Sequence, residues 1–283
     1  MKKRVLLPTD FSKNAWNAIT YVLELYKNEE CEFYLLNAFS TKAYDIDSIV
    51  VTKPGDEDYD LAFRGSEKGL EKTLKLLELH QSNSNHKFFT MNFFGTPIDA
   101  IKDAIESKDI DLVVMGNKGE TNAESILYGS NAIEVMEKSR NCPVLMIPEN
   151  VDYNEPKEIV FPTSYKTHYK RRELHYLYEI SKITNAKVRI LHINKEDRLD
   201  EKQKANKNLL EDCFDGLDYS FHWLNNGDIN AGLHNFVQSR GSDMIAIINR
   251  RHTIFEKFFT RPMVKDLGYN SRVPVLVLHD LRN

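Results

Sequence analysis

Cysteine is nearly absent from this chain. Cys31, Cys142 and Cys213 are the three it has in 283 residues, scattered without metal-ligand spacing. So odd and sparse a set reads as reduced thiols in a cytoplasmic protein. Long apolar runs are missing too. None approaches the roughly 18 residues of a spanning helix, and Met1-Lys2-Lys3 leads straight into a strand pattern, so neither a membrane partner nor a signal peptide is expected. Nor is there an excess of positive charge. With 38 Lys and Arg against 42 Asp and Glu, the formal net charge is −4, which removes the electrostatic reason to expect DNA, RNA or anionic lipid as a partner. None of the nine histidines has a metal-like partner in sequence. No Ser-His-Asp or Cys-His order can be singled out, and the spacings G-x-x-x-x-G-K-[ST] and G-x-G-x-x-G do not occur.

What is present is the composition of a soluble globular protein, 41% hydrophobic and 28% charged, at a length that predicts two domains of about 140 residues each. Strand and helix patterns alternate through the first half. Arg4–Leu7 is a strand broken by Pro8-Thr9-Asp10-Phe11-Ser12, and Ser12 caps a helix carrying Ala15, Ile19, Val22, Leu23 and Tyr26. Phe33–Ala38 is a second strand. The stretch from Ser40 to about Asp60 lacks a period and reads as a loop or a lid. Leu70, Leu74 and Leu77 mark a helix, Lys87–Phe93 a strand, and Gly95-Thr96-Pro97 opens a helix with Ile98, Ile101 and Ile105. This alternation predicts a parallel, doubly wound sheet, in which ligands sit beyond the carboxyl ends of strands where the winding reverses.

The most informative stretch follows. Leu112–Met115 is a buried-strand run that ends on Gly116, with Gly119 next and Gly129-Ser130 beyond. Ser130 is expected to cap a helix over Asn131–Arg140, before a last strand over Val144–Ile147. Glycines let a backbone approach a ligand, and a helix N-terminus offers unpaired N–H groups, so phosphate is the natural guest. The alternative is that these glycines serve turns and Ser130 is an ordinary cap.

The pattern G-x2-G-x9-G-S, with its flanking M-G-N-K-G and L-Y-G-S-N and the N-terminal P-T-D, resembles the nucleotide-binding signature of the universal stress protein family. The resemblance implies a five-stranded sheet in the order 3-2-1-4-5, of the adenine nucleotide alpha hydrolase-like kind. In ATP-binding members the positions matching Pro8, Thr9, Asp10, Ala38, Met115, Gly116, Lys118, Gly119, Gly129, Ser130, Asn131 and Ala132 line the nucleotide. Asp10 suits a ribose hydroxyl, an adenine amine or a cation, unless it is simply a helix-start carboxylate. Ser130 and the N–H groups of Asn131 and Ala132 would hold phosphate oxygens. Lys118 would add charge unless it is merely solvated, and Met115 would pack on adenine unless it is ordinary core. Ala38 is smaller than the branched residue usual there. ATP, with Mg2+, is the implied ligand.

The second half repeats the first. Val5-Leu6-Leu7-Pro8-Thr9 recurs as Ile159-Val160-Phe161-Pro162-Thr163, and Gly95-Thr96-Pro97-Ile98 as Gly227-Asp228-Ile229-Asn230. Asp111-Leu112-Val113-Val114 recurs as Asp243-Met244-Ile245-Ala246, and Cys142-Pro143-Val144-Leu145 as Val273-Pro274-Val275-Leu276. The expectation is therefore an α/β protein of two tandem doubly wound five-stranded parallel sheets, with domains 1–149 and 150–283. The site does not recur: Asp10 becomes Ser164, Gly116 and Gly119 become Asn249 and His252, and Gly129-Ser130 become Thr260-Arg261. Arg250, Arg251 and His252 read as a solvated or interdomain charge cluster rather than a second anion site. The last strand of each half looks like a sheet edge that invites pairing. In universal stress proteins these strands pair across a two-fold axis, so a tandem chain can form a pseudo-dimer internally; a homodimer stays open, and no protein partner is named by the sequence.

Two functions compete. The leading one is a stress-response binding or signalling protein that holds an adenine nucleotide in its N-terminal half without efficient catalysis, slow ATP hydrolysis or autophosphorylation remaining open. The alternative is an ATP-using enzyme of the related α/β class, which would need a catalytic lysine, several metal-holding carboxylates or an S-G-G-x-D-S-type loop. The P-T-D-F-S segment lacks the glycine pair of that loop.

Overall fold

The computed structural model describes residues 2–41, 53–80, 83–117, 126–139, 142–194, 198–249, 266–267 and 271–279, and of residues 126–131 the backbone alone. The chain divides into two compact units, Met1–Gly116 and Asn117–Asn283.

In the first unit β1 (Lys3–Pro8), α1 (Lys13–Leu25), β2 (Cys31–Phe39), α2 (Glu57–His80), β3 (His86–Phe94), α3 (Pro97–Lys108) and β4 (Leu112–Asn117) follow one another. The strands lie in the order β3-β2-β1-β4, all in parallel register, with Val5 opposite both Phe33 and Leu112. Val5, Leu6, Leu7, Leu112 and Val113 are fully buried, as the near-continuous apolar runs of a sheet covered on both faces require. Helix starts obey their sequence signals. The Ser12 hydroxyl accepts from the N–H of Ala15, and Thr96 caps α3 with Pro97 at its first turn.

The second unit contains α4 (Ile126–Lys138), β5 (Val144–Pro148), β6 (Glu158–Pro162), α5 (His175–Thr184), β7 (Lys187–Asn194), α6 (Glu201–Cys213), β8 (Tyr219–Asn225), α7 (Ile229–Arg240), β9 (Met244–Asn249) and β10 (Val275–His279). Its order is β5-β10-β9-β6-β7-β8. Read from β8 to β10 this is the 3-2-1-4-5 order expected of one repeat, all parallel. β5, the last strand of the first repeat, adds to it antiparallel: Val275 faces Met146, Leu276 faces Leu145 and Val277 faces Val144. The edge-strand pairing expected between the two repeats is thus present, and β5 groups with the second unit because it pairs there.

The repeat extends to individual bonds. Asp111 Oδ2 accepts from the N–H of Arg4 (2.8 Å), and Asp243 Oδ2 accepts from those of Lys157 (2.8 Å) and Glu158 (3.0 Å). Each of these aspartates opens the fourth strand of its repeat and holds the start of the first.

Two expectations need correction. The aperiodic stretch from Ser40 to Asp60 is not loop throughout, because α2 begins at Glu57; residues 42–52 lie outside the described residues. Glu57, Asp58 and Asp60 occupy the helix's first turn, where negative charge is favoured by the dipole. Ser130 is not a helix cap. α4 starts at Ile126, so Gly129 and Ser130 lie within the helix. Ile126, Leu127 and Tyr128 all tolerate helix, and one glycine is too weak a breaker to delay the start.

Candidate functional site

The first unit places several of the predicted residues at one point of the sheet. β1 is where the winding reverses, since β2 and β3 lie to one side of it and β4 to the other. Pro8 ends β1, Thr9 and Asp10 follow it, and Met115-Gly116 lie at the carboxyl end of the neighbouring β4. Ala38 is near the end of β2 and half-buried, Thr9 and Met115 are buried, and Asp10 is exposed.

The turn after β1 is held tightly. The Thr9 N–H donates to the Leu36 carbonyl (2.8 Å), and Asn37 Nδ2 donates to the Thr9 carbonyl (2.7 Å). Thr9 Oγ1 accepts from the N–H of Phe11 (3.0 Å), and Asp10 Oδ1 accepts from the N–H of Ser12 (3.0 Å). Phe11 sits at φ 64°, a left-handed conformation uncommon for a bulky residue. Asp10 therefore spends one oxygen on the turn and keeps acceptor capacity for a ligand.

Gly116 has a packing reason of its own. A Cβ there would stand 2.6 Å from the Asn14 carbonyl oxygen and 2.8 Å from Asn14 Oδ1, so the glycine lets the first turn of α1 press on the end of β4. Asn14 Oδ1 is itself buried without a donor among the described residues. Lys118 and Gly119 lie outside the described residues. Gly129, Ser130, Asn131 and Ala132 lie on α4, where their N–H groups belong to the body of the helix rather than to its unpaired first turn.

The second repeat builds the same turn and closes it. The Thr163 N–H donates to the Leu191 carbonyl (2.8 Å), Thr163 Oγ1 accepts from the N–H of Tyr165 (3.1 Å), and Tyr165 sits at φ 55°. His192 takes the place of Asn37, its Nδ1 donating to the Thr163 carbonyl (2.8 Å). From α6, Gln203 Nε2 donates to the Ser164 carbonyl (2.8 Å) and Asn206 Nδ2 to the Tyr165 carbonyl (2.7 Å). The Tyr165 ring, 2% exposed, stacks on His192 at 5.0 Å, and the Trp223 ring lies 4.4 Å from that imidazole, tilted against it. Burial pushes the Tyr165 phenol up and the His192 imidazole down, so both are neutral near pH 7. Where Asp10 faces solvent, Ser164 is 8% exposed. Arg250, Arg251, His252, Thr260 and Arg261 lie outside the described residues. Asn249, which replaces Gly116, turns its amide to the Met136 carbonyl (3.0 Å).

The aromatic after each Pro-Thr-x, Phe11 and Tyr165, and the amides and rings that seal the second turn were not singled out from sequence. The repeat P-T-D-F against P-T-S-Y carried the signal for the first pair. Nothing local announces that Gln203 and Asn206, some 40 positions away, close the second.

These features define a tandem, doubly wound α/β protein with one open turn at a sheet switch point and one closed copy of it. The universal stress protein family model matches residues 1–148, and the chain belongs to that family, in its tandem form. Universal stress protein MJ0531 of Methanocaldococcus jannaschii is 30% identical over 145 residues, 51% of this chain and 81% of that protein. Universal stress protein MJ0577 of the same organism is 27% identical over 157 residues, 52% of this chain and 95% of that one. A universal stress protein from Archaeoglobus fulgidus DSM 4304 shares the fold across 98% of this chain and 96% of its own, with a TM-score of 0.72 at 18% identity.

Proposed function

We propose that the first repeat binds one adenine nucleotide, ATP with Mg2+, and that the second repeat does not. The observation that carries this reading is the contrast between the two turns: Asp10 is exposed at the switch point, whereas the Ser164 turn is roofed by Tyr165, Gln203 and Asn206. The G-x2-G-x9-G-S motif, present once, agrees with it. Open α/β sheets take ligands at this point.

The described residues at the ends of β1, β2 and β4 suit the nucleoside part of the ligand. Asp10 keeps acceptor capacity for a ribose hydroxyl or a cation, Ala38 leaves room at the end of β2, and Met115 offers an apolar wall. Among the described residues no group of three His, Cys, Asp or Glu could hold a metal. Mg2+ would therefore arrive on the phosphates, with Asp10 as the one carboxylate among the candidates. When bound, the cation would neutralise phosphate charge; the chain's own part is to bind and orient. No general base is identified for the γ-phosphate, and this favours a binding or signalling role over efficient catalysis. Mass spectrometry of ligand released from denatured protein, with calorimetry against ATP, tests the reading. No released nucleotide and no heat with ATP would overturn it.

A further inference from the structure

Glycine in the middle of a helix is among the poorest choices a sequence can make, yet α2 carries two, Gly65 and Gly69. Gly65 has open space around it, with nothing within 4 Å of an added Cβ. Gly69 does not. A Cβ there would stand 2.4 Å from Cε2 and from Cζ of Phe11, and 2.8 Å from its Cε1. The tip of the Phe11 ring thus occupies the place where a side chain at position 69 would begin, while Phe11 as a whole stays 41% exposed. Phe11 is also the residue held at φ 64° beside Asp10. Such a conformation persists in a bulky residue only where its surroundings over-determine it.

We propose that Gly69 and Phe11 are positioning residues for the nucleotide site, the ring seated on the glycine locking the turn that presents Asp10. This rests on the reading of the first repeat given above. α2 is a firm anvil for the ring. Its Leu70 and Leu77 are buried, Ser66 hydrogen-bonds Asn92 of β3, and Tyr59 and Phe63 pack on Phe39 at 5.6 and 5.8 Å. The second repeat shows the alternative solution. There α6 grips the turn by two side-chain amides on the Ser164 and Tyr165 carbonyls, which fixes the backbone but closes the site. Seating a ring on a glycine fixes the same backbone and leaves the carboxylate free.

The test uses the full chain with Gly69→Ala, Phe11→Ala, the double variant, and Gly65→Ala as a control that adds the same methyl group where nothing is met. ATP affinity is measured by calorimetry with Mg2+, and exchange of the Phe11 and Ser12 amides by NMR without nucleotide. Gly69→Ala and Phe11→Ala should each weaken ATP binding about 10-fold, and the double variant should be no weaker than either, because both remove one contact. The Phe11 and Ser12 amides should exchange faster in all three, while Gly65→Ala matches wild type in both readouts. Wild-type affinity and wild-type exchange in Gly69→Ala would overturn the lock, and so would effects that multiply in the double variant. If the wild-type chain takes up no ATP, the nucleotide reading falls, and the exchange data alone decide whether the lock exists.

Discussion

His279 closes β10 with its imidazole buried, and Nε2 finds no partner among the described residues. Burial holds its pKa down at about 4. An unfolded histidine titrates near 6.5, so between the two values the unfolded chain binds the proton and the folded chain does not. Stability is therefore full above about pH 6.5 and falls by about 1.4 kcal/mol per pH unit as the solution is acidified toward pH 4. His86 and His192 are shifted the same way by burial and add to the slope. His279→Leu should flatten part of this acid limb, as read by urea unfolding at a series of pH values; an unchanged slope would mean that the imidazole is charged in the folded state. Glu158 acts at lower pH. Burial would raise its pKa, but hydrogen bonds from Arg240, Arg189 and Ser242 outweigh burial and hold it at about 2. Its contribution is present above the ordinary carboxylate range near 4.3 and is lost as pH falls through about 2. Glu158→Gln should lower stability at neutral pH and leave it nearly unchanged at pH 2.

Among the elements, α4 carries the sharpest test of the motif. Gly129 lies in its interior and needs no left-handed backbone, so Gly129→Val should cost the helix little, valine being no worse a helix former than glycine. If the residue meets phosphate, the added branches should lower ATP affinity by at least about 10-fold, with an unchanged melting temperature. Unchanged affinity would place the phosphate elsewhere. Element order and the Ser12 and Thr96 caps were legible because each is written locally, in apolar period or capping residue; the parallel sense followed from the alternation of strand and helix, and the strand order from the family resemblance. The start of α4 was not. Gly-Ser after an aperiodic stretch has the look of a cap, and the choice between cap and helix interior depends on packing that no local pattern records. The closed second turn was half legible. Loss of Asp10 in favour of Ser164 is visible, while its roof is built from residues distant in sequence.

For the whole molecule the expectation is one nucleotide per chain, although the fold occurs twice. Calorimetric stoichiometry with ATP should approach one, and a value of two would show that the second repeat opens to admit ligand. Turnover should fall far below the enzyme median of about 10 per second, because the sequence motif supplies no residue suited to act as a general base at the γ-phosphate. Phosphate release at ordinary enzymatic rates would favour the ATP-using enzyme instead.

The antiparallel pairing of β5 with β10 has a consequence for how such a contact can change. Across the two-fold axis of a homodimer every substitution is expressed twice, because a contact of residue i with residue j recurs as one of j with i. Here the strands align as Val144-Leu145-Met146 and Val275-Leu276-Val277, with the Leu145–Leu276 pair at the centre. Met146 faces Val275 on one side of that centre, and Val144 faces Val277 on the other. A long thioether on one flank is answered by a short branched residue at the matching place on the opposite flank. Two identical copies would carry the methionine–valine pair on both flanks or on neither, whereas a gene encoding both strands is free to tune each flank alone.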